Sequence, residues 1–124
     1  MYQVLAIGVG GALGSMARFG MSTWVYGVLG RNFPYGTFVV NVLGCLIMGL
    51  LFVLFTERFS DSTVLRAGVL IGVLGGFTTF SSFSIEAFNL FDQGDAAKAA
   101  LYVMGSFFLC ISSTWLGVLI GRKV

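Results

Sequence analysis

Long stretches without a charged side chain constrain this chain more than any other feature. Residues 32–56, 67–85 and 99–121 carry none, giving runs of 25, 19 and 23 residues, and the first 29 residues carry only Arg18. A helix that crosses the hydrocarbon of a bilayer needs about 20 apolar residues, so each stretch suffices for one crossing. Composition points the same way. Of 124 residues, 57% are hydrophobic and 10% charged, with a mean hydropathy of +0.97, whereas a soluble domain has about 25% charged residues. Too few charges remain to build a water-facing surface. The expected fold is an all-α membrane protein, a single domain over 1–124, with four transmembrane helices over about 2–28, 35–56, 64–91 and 95–121.

The first apolar run has no basic stretch before it and no clear small-x-small cleavage site, so it is expected to remain as a helix rather than be removed as a signal peptide. The connecting loops, including the polar one at 57–63, are too short for an extramembrane module. Cys45 and Cys110 both fall inside expected spans and read as small apolar residues rather than as a disulfide or zinc site. A net charge of +2 gives no footing for a nucleic-acid partner. Short loops rich in Lys and Arg stay cytoplasmic. Here one side would hold Arg58, Arg66, Arg122 and Lys123, and the other Arg31 and Lys98, joined by Arg18 if it lies near that end. So small a difference leaves two readings open: a fixed orientation with a poor signal, or insertion both ways round and an antiparallel dimer with its twofold axis in the membrane plane. Gly10 and Gly14, then Gly68, Gly72 and Gly76, then Gly117 and Gly121 recur at four-residue spacing, which suits close helix contacts.

The stretch Gly75-Gly76-Phe77-Thr78-Thr79-Phe80-Ser81-Ser82-Phe83-Ser84 is a poor helix interior, because paired glycines precede a run of β-branched and hydroxyl residues. It predicts a third helix broken near the bilayer midplane. Irregular backbone at that depth must be buried in protein or line a wet cavity, where broken helices offer carbonyls to cations and N–H groups to anions. The competing reading is a glycine kink whose hydroxyls bond back to their own helix. Asn41 lies within the second run, and an unpaired amide in hydrocarbon is costly. It is either a bond between helices or a pair of donors for an ion. Tyr102, Ser106, Cys110 and Thr114 follow at four-residue spacing and share one face of the fourth helix. Phe77, Phe80 and Phe83 could pack between helices or turn their positive ring edges toward an anion. Arg18 and Glu86 are the charges nearest membrane depth. Helices 1, 2 and 4 offer no carboxylate for a proton relay, and no nucleophile–base pair, phosphate loop or metal cluster is visible, so an enzyme is not expected. Weak donors and aromatic edges suit the passage of a small anion.

These motifs together resemble the Fluc (CrcB) fluoride channels. The resemblance is carried by Gly10-Gly11-x-x-Gly14-x-x-x-Arg18, by Gly36-Thr37-x-x-Val40-Asn41, and by the long segment from Gly75 to Glu86. It implies an antiparallel homodimer with two fluoride pores in a prokaryotic inner membrane. It also implies fluoride as the transported ion. In that family's pattern Asn41 is the pore amide and Phe80 and Phe83 supply the ring edges, with Thr37 and Ser81 of the same motifs beside them. Tyr102, Ser106 and Cys110 form its polar track, although Cys110 stands where Ser or Thr is more usual and a thiol is a weaker donor. A structural Na+ at the dimer interface would take backbone carbonyls of Gly75 and Thr78 from both subunits, with Arg18 and Glu86 in supporting places. Retention of Asn41 and both phenylalanines favours a homodimer over the heterodimers some relatives form.

The implied activity is passive export of fluoride down its electrochemical gradient. HF enters cells neutral and dissociates in a less acidic cytoplasm, so fluoride accumulates there. The alternative is a small multidrug-type proton-coupled exporter, which shares the four helices and the length but should carry its coupling carboxylate in helix 1. Dye efflux driven by a pH gradient separates the two: the channel reading expects none from reconstituted protein, and vigorous efflux would favour the exporter.

Overall fold

The computed structural model describes residues 1–58 and 62–124, so part of the loop expected at 57–63 lies outside the described residues. It is all-helical. Helix α1 is Tyr2–Leu29, α2 is Tyr35–Arg58, α3 covers 63–77, α4 is Phe80–Asp92 and α5 is Ala96–Lys123. The spans Tyr2–Leu29, Tyr35–Arg58, Thr63–Asp92 and Ala96–Lys123 are each long and apolar enough to cross a membrane.

The helix ends follow from local chemistry. Gly30, at a φ of 84° that a side chain would disfavour, stops α1 while its N–H still reaches the Tyr26 carbonyl at 2.9 Å. Pro34, which has no N–H of its own, then stands at the N-cap of α2. Ser62 caps α3 by accepting from the Leu65 N–H at 3.1 Å. Gly94, at a φ of 88°, turns the chain from α4 into α5. Two stretches, Leu54–Arg58 and Ala67–Leu74, are wound as wider π turns.

Two glycine seams hold the spans together. Along the first, a Cβ at Gly10 would collide with the Gly68 carbonyl oxygen, one at Gly14 with that of Val73, and one at Gly76 would sit 2.7 Å from that of Gly11. These contacts set α1 directly against the backbone of α3. Along the second, a Cβ at Gly49 would collide with the Thr114 carbonyl oxygen, and one at Gly117 with that of Leu46. Here α2 meets α5. In lipid the packing of backbones, rather than expulsion of water, drives such association.

The paired glycines therefore act differently from the role the sequence suggested. Gly75 and Gly76 are helical, with Gly75 at φ −63° and ψ −35°. The extended residues are the next ones: Thr78 at φ −86°, ψ 156° and Thr79 at φ −149°, ψ 118°. Gly76 is small because α1 lies against it, not because the backbone must bend there.

Basic residues collect at opposite ends. At one end Arg58 Nη2 donates to the Arg122 carbonyl at 3.3 Å, and Arg122 lies 3.4 Å from Glu57. At the other, Lys98 Nζ donates to the Asn32 carbonyl at 3.2 Å. All three contacts are exposed and stabilise little.

Seam geometry makes a direct prediction. Gly49→Ala forces overpacking that costs about 1–3 kcal/mol, whereas Gly20→Ala, with nothing within 4 Å of the new methyl, costs nothing and improves helix propensity. Monodispersity in detergent after graded heating should fall only for Gly49→Ala. Equal losses in both variants would contradict the seam.

Candidate ion site

The two extended threonines remove backbone groups from the helical ladder, and α2 supplies their partner. Thr79 N–H donates to Asn41 Oδ1 at 2.8 Å, and Asn41 Nδ2 donates back to the Thr79 carbonyl at 3.0 Å. A side-chain amide thus pairs with one extended residue as a neighbouring strand would. Gly44, one turn further along α2, is small because Thr78 Cγ2 fills the place of its missing side chain. The threonine hydroxyls finish the local accounting. Thr78 Oγ1 donates to the Leu74 carbonyl at 3.0 Å, and Thr79 Oγ1 accepts from the Ser82 N–H at 3.1 Å, which caps α4. Ser81 Oγ lies 3.3 Å from Thr79 Oγ1.

Cavities flank this pairing. One, of about 350 Å³, is lined by Asn41, Phe80, Phe83, Ser106, Phe107 and Cys110, with Val103 and Ile111. Asn41 uses one of its two N–H donors on Thr79, so the second is available to this space. Ser106 Oγ is buried and has no hydrogen-bond partner. An unsatisfied buried hydroxyl costs about 1–3 kcal/mol, a cost that an acceptor in the cavity would remove. The Phe80 and Phe83 rings stand 5.4 Å apart at an interplanar angle of 51°, and Phe83 lies 5.0 Å from Tyr102. Phe80 is 79% exposed, so this cavity opens on the outer face of the four helices.

A second cavity, of about 270 Å³, is lined by Ser15, Arg18, Phe19, Ser22, Thr37, Thr79 and Ser82. It is more polar, and Arg18 gives it positive charge. Thr79 is therefore shared between the amide pairing and this second space.

The row Tyr102, Ser106, Cys110 and Thr114 divides by partner. Ser106 and Cys110 line the first cavity. Tyr102 is fully buried and its hydroxyl donates to Glu86 Oε1 at 3.3 Å, while Thr114 Oγ1 donates to the Cys110 carbonyl of its own helix at 3.1 Å. Glu86 also accepts from the Tyr26 hydroxyl at 3.0 Å on Oε2. Both carboxylate oxygens are thus held by phenols, at the edge of a polar hollow lined by Arg31, Asn32, Asn89 and Gln93. Arg31 stacks on the Tyr26 ring at 4.5 Å, a cation–π contact that fixes the ring. Gly75 lies exposed beside the two threonines.

Two residues here had no assigned role in the sequence reading. Thr79 had a usable signal, since a threonine ahead of a helical run is a common N-cap. Tyr26 had none: its link to Glu86 spans 60 residues.

The cavity beside Asn41, Phe80 and Phe83 has no charged side chain in its lining. It offers amide and hydroxyl donors beside aromatic edges, which fits weak binding of an anion.

Known proteins share this chain over nearly its whole length. The family model described as "CrcB-like protein, Camphor Resistance (CrcB)" matches residues 5–118. Among similar proteins is one named "Fluoride-specific ion channel FluC" from Coxiella burnetii, 52% identical over 123 residues, covering 98% of this chain and 99% of its own length. Proteins of the same name from Magnetococcus marinus and Geotalea daltonii are 47% and 44% identical over 122 and 124 residues, covering 98% and 100% of this chain and 99% and 100% of their own.

Replacing Asn41 by Leu keeps the volume and leaves the Thr79 N–H and carbonyl without partners, a penalty of about 1–3 kcal/mol for each. Amide exchange across 78–82 should accelerate and thermal stability in detergent should drop. Unchanged exchange in that segment would show that the amide does not hold the threonines.

Proposed function

The chain belongs to the CrcB family, and on that premise we propose that it is a fluoride-specific, multi-pass membrane channel that exports fluoride passively down its electrochemical gradient and so relieves fluoride toxicity. One observation carries the reading: the buried Ser106 hydroxyl, without a partner, stands in one cavity wall with Asn41 and the rings of Phe80 and Phe83. Such a wall offers donors and positive ring edges but no cation. A fixed positive charge would bind fluoride too tightly for rapid release. Neutral donors in a narrow, dry path replace enough of the hydration of a small anion to admit it. They suit the larger chloride less well. Conduction requires binding that is favourable yet weak.

In this reading Asn41, Ser106 and Cys110 meet the ion, Phe80 and Phe83 present their edges, and Tyr102 closes the row beside Glu86. Arg18, Thr37 and Ser81 belong to the approach, where the positive charge of Arg18 raises local anion concentration. Thr78 and Thr79 interrupt the third span near the midplane of the bilayer, a prokaryotic inner membrane.

The channel is completed by a second, oppositely inserted copy. Two features support this. The cavity opens outward beside the exposed Phe80, and the charge bias between the two ends is small. A structural Na+ at the dimer interface is held by the Gly75 and Thr78 carbonyls of both copies. The residues fit such an ion. In an unbroken helix the Thr79 N–H would donate to the Gly75 carbonyl, but here it is turned to Asn41, which frees that oxygen. Four carbonyl oxygens suit a hard cation, and the charge would fasten the two copies together.

Purified protein in liposomes is expected to release fluoride electrogenically, as read by a fluoride electrode, and to retain chloride. Phe80→Ile removes the ring edge, and a loss of about 1.4 kcal/mol or more at the barrier slows efflux by about tenfold or more. Fluoride and chloride leaving at equal rates would overturn the assignment.

A further inference from the structure

Cys45 and Cys110 are both free and half-buried, and the seam between α2 and α5 brings them together. The register is fixed at several points that advance together along both helices. Gly105 faces Phe38, Gly49 meets the Thr114 carbonyl, Gly117 meets Leu46 and Leu50, and Gly121 meets Val53. Cys45 and Cys110 each stand four residues, one turn, before the touching pair Gly49 and Thr114, so they face each other across the same seam. The two thiols are close neighbours. Disulfides need a short approach, with Cα atoms about 4.4–6.8 Å apart. A seam in which backbone touches backbone supplies it. Cys110 also lines the cavity with Asn41, Phe80, Phe83 and Ser106, which gives a small reagent a route to the sulfur.

We propose that Cys45 and Cys110 form a reversible dithiol–disulfide pair whose closure withdraws the Cys110 S–H from the ion path. The consequence for flux rests on the channel reading above; the chemistry of the pair does not. In the reduced form the thiol is a weak donor one turn beyond Ser106. In the oxidised form the sulfur carries no hydrogen, is turned toward α2, and ties the two helices beside the cavity.

The reaction balances with an azodicarboxamide as oxidant. One thiol loses its proton and its thiolate adds to the N=N bond, forming an S–N bond. The second thiolate attacks the bonded sulfur; the S–S bond forms and the S–N bond breaks. The oxidant leaves as the hydrazine, having taken up two electrons and two protons. A dithiol reductant reverses the change by exchange.

The test uses the full-length protein in liposomes, treated with the azodicarboxamide and then assayed twice. After denaturation, titration with a maleimide polymer counts the remaining thiols, and a non-reducing gel separates single from linked chains. The pair predicts loss of both thiols in the wild type within one chain with no oxidant left bound, whereas Cys45→Ser goes no further than the S–N adduct at Cys110, which carries the oxidant's added mass. In parallel, fluoride efflux should fall several-fold in oxidised wild type and recover with reductant, while Cys45→Ser conducts before treatment as reduced wild type does. Two thiols that survive treatment, or a link between two chains, would overturn the pair. A disulfide that leaves efflux unchanged would overturn its place beside the ion path. Reduced wild type that passes no fluoride would instead sink the channel reading, and the thiol count would still decide the pair.

Discussion

The pairing of the Asn41 amide with both backbone groups of Thr79 is the constraint on which the rest of the site depends. A bilayer provides no water to satisfy an N–H or carbonyl taken out of a helix, and each such group costs several kcal/mol if left alone. Thr79 would be untenable in extended backbone without a partner from a neighbouring span. Once it is held, three things follow from its position. Its hydroxyl is placed to cap α4, its displaced N–H frees the carbonyl one turn earlier, and Phe80 and Phe83 begin a helix whose rings face Asn41 across one cavity. The amide is thus a structural bond between helices and a donor at the same time. These two roles need not compete, because an amide has two N–H groups and only one is used.

Close backbone contact is the second condition. α1 lies on α3 and α2 on α5 at glycine carbonyl contacts, so the four spans occupy one another's interior. The cavity lined by Asn41, Phe83 and Ser106 opens beside Phe80, on the outer face of the helices. The same packing leaves many large apolar residues, Phe19, Trp24, Phe91 and Trp115 among them, pointing outward, as suits spans that meet lipid.

The spans were legible in the sequence because charge is costly in hydrocarbon, and runs without charge delimit helices directly. Asn41, Phe80, Phe83, Ser106 and Cys110 were singled out in the sequence and line one cavity, but the connections around them were less legible. Gly75 and Gly76 suggested irregular backbone, yet a glycine also serves to let another helix approach, and here that second use prevails. The extended conformation falls instead on Thr78 and Thr79, where β-branching favours it. Four-residue spacing placed Tyr102, Ser106, Cys110 and Thr114 on one face, but spacing does not reveal partners. Thr114 bonds to its own helix and Tyr102 reaches Glu86, while Ser106 is left facing the cavity. The hold of Tyr26 on Glu86 arises only when α1 and α4 are brought together, and no local pattern encodes it.

The account stands or falls on whether a wall of neutral donors and ring edges passes fluoride in preference to other anions. The reversal potential of the protein in a planar bilayer tests this directly, with opposed gradients of fluoride and chloride across the membrane. The account predicts a potential that follows the fluoride gradient and ignores the chloride gradient; a potential set by chloride, or one at zero, would contradict it.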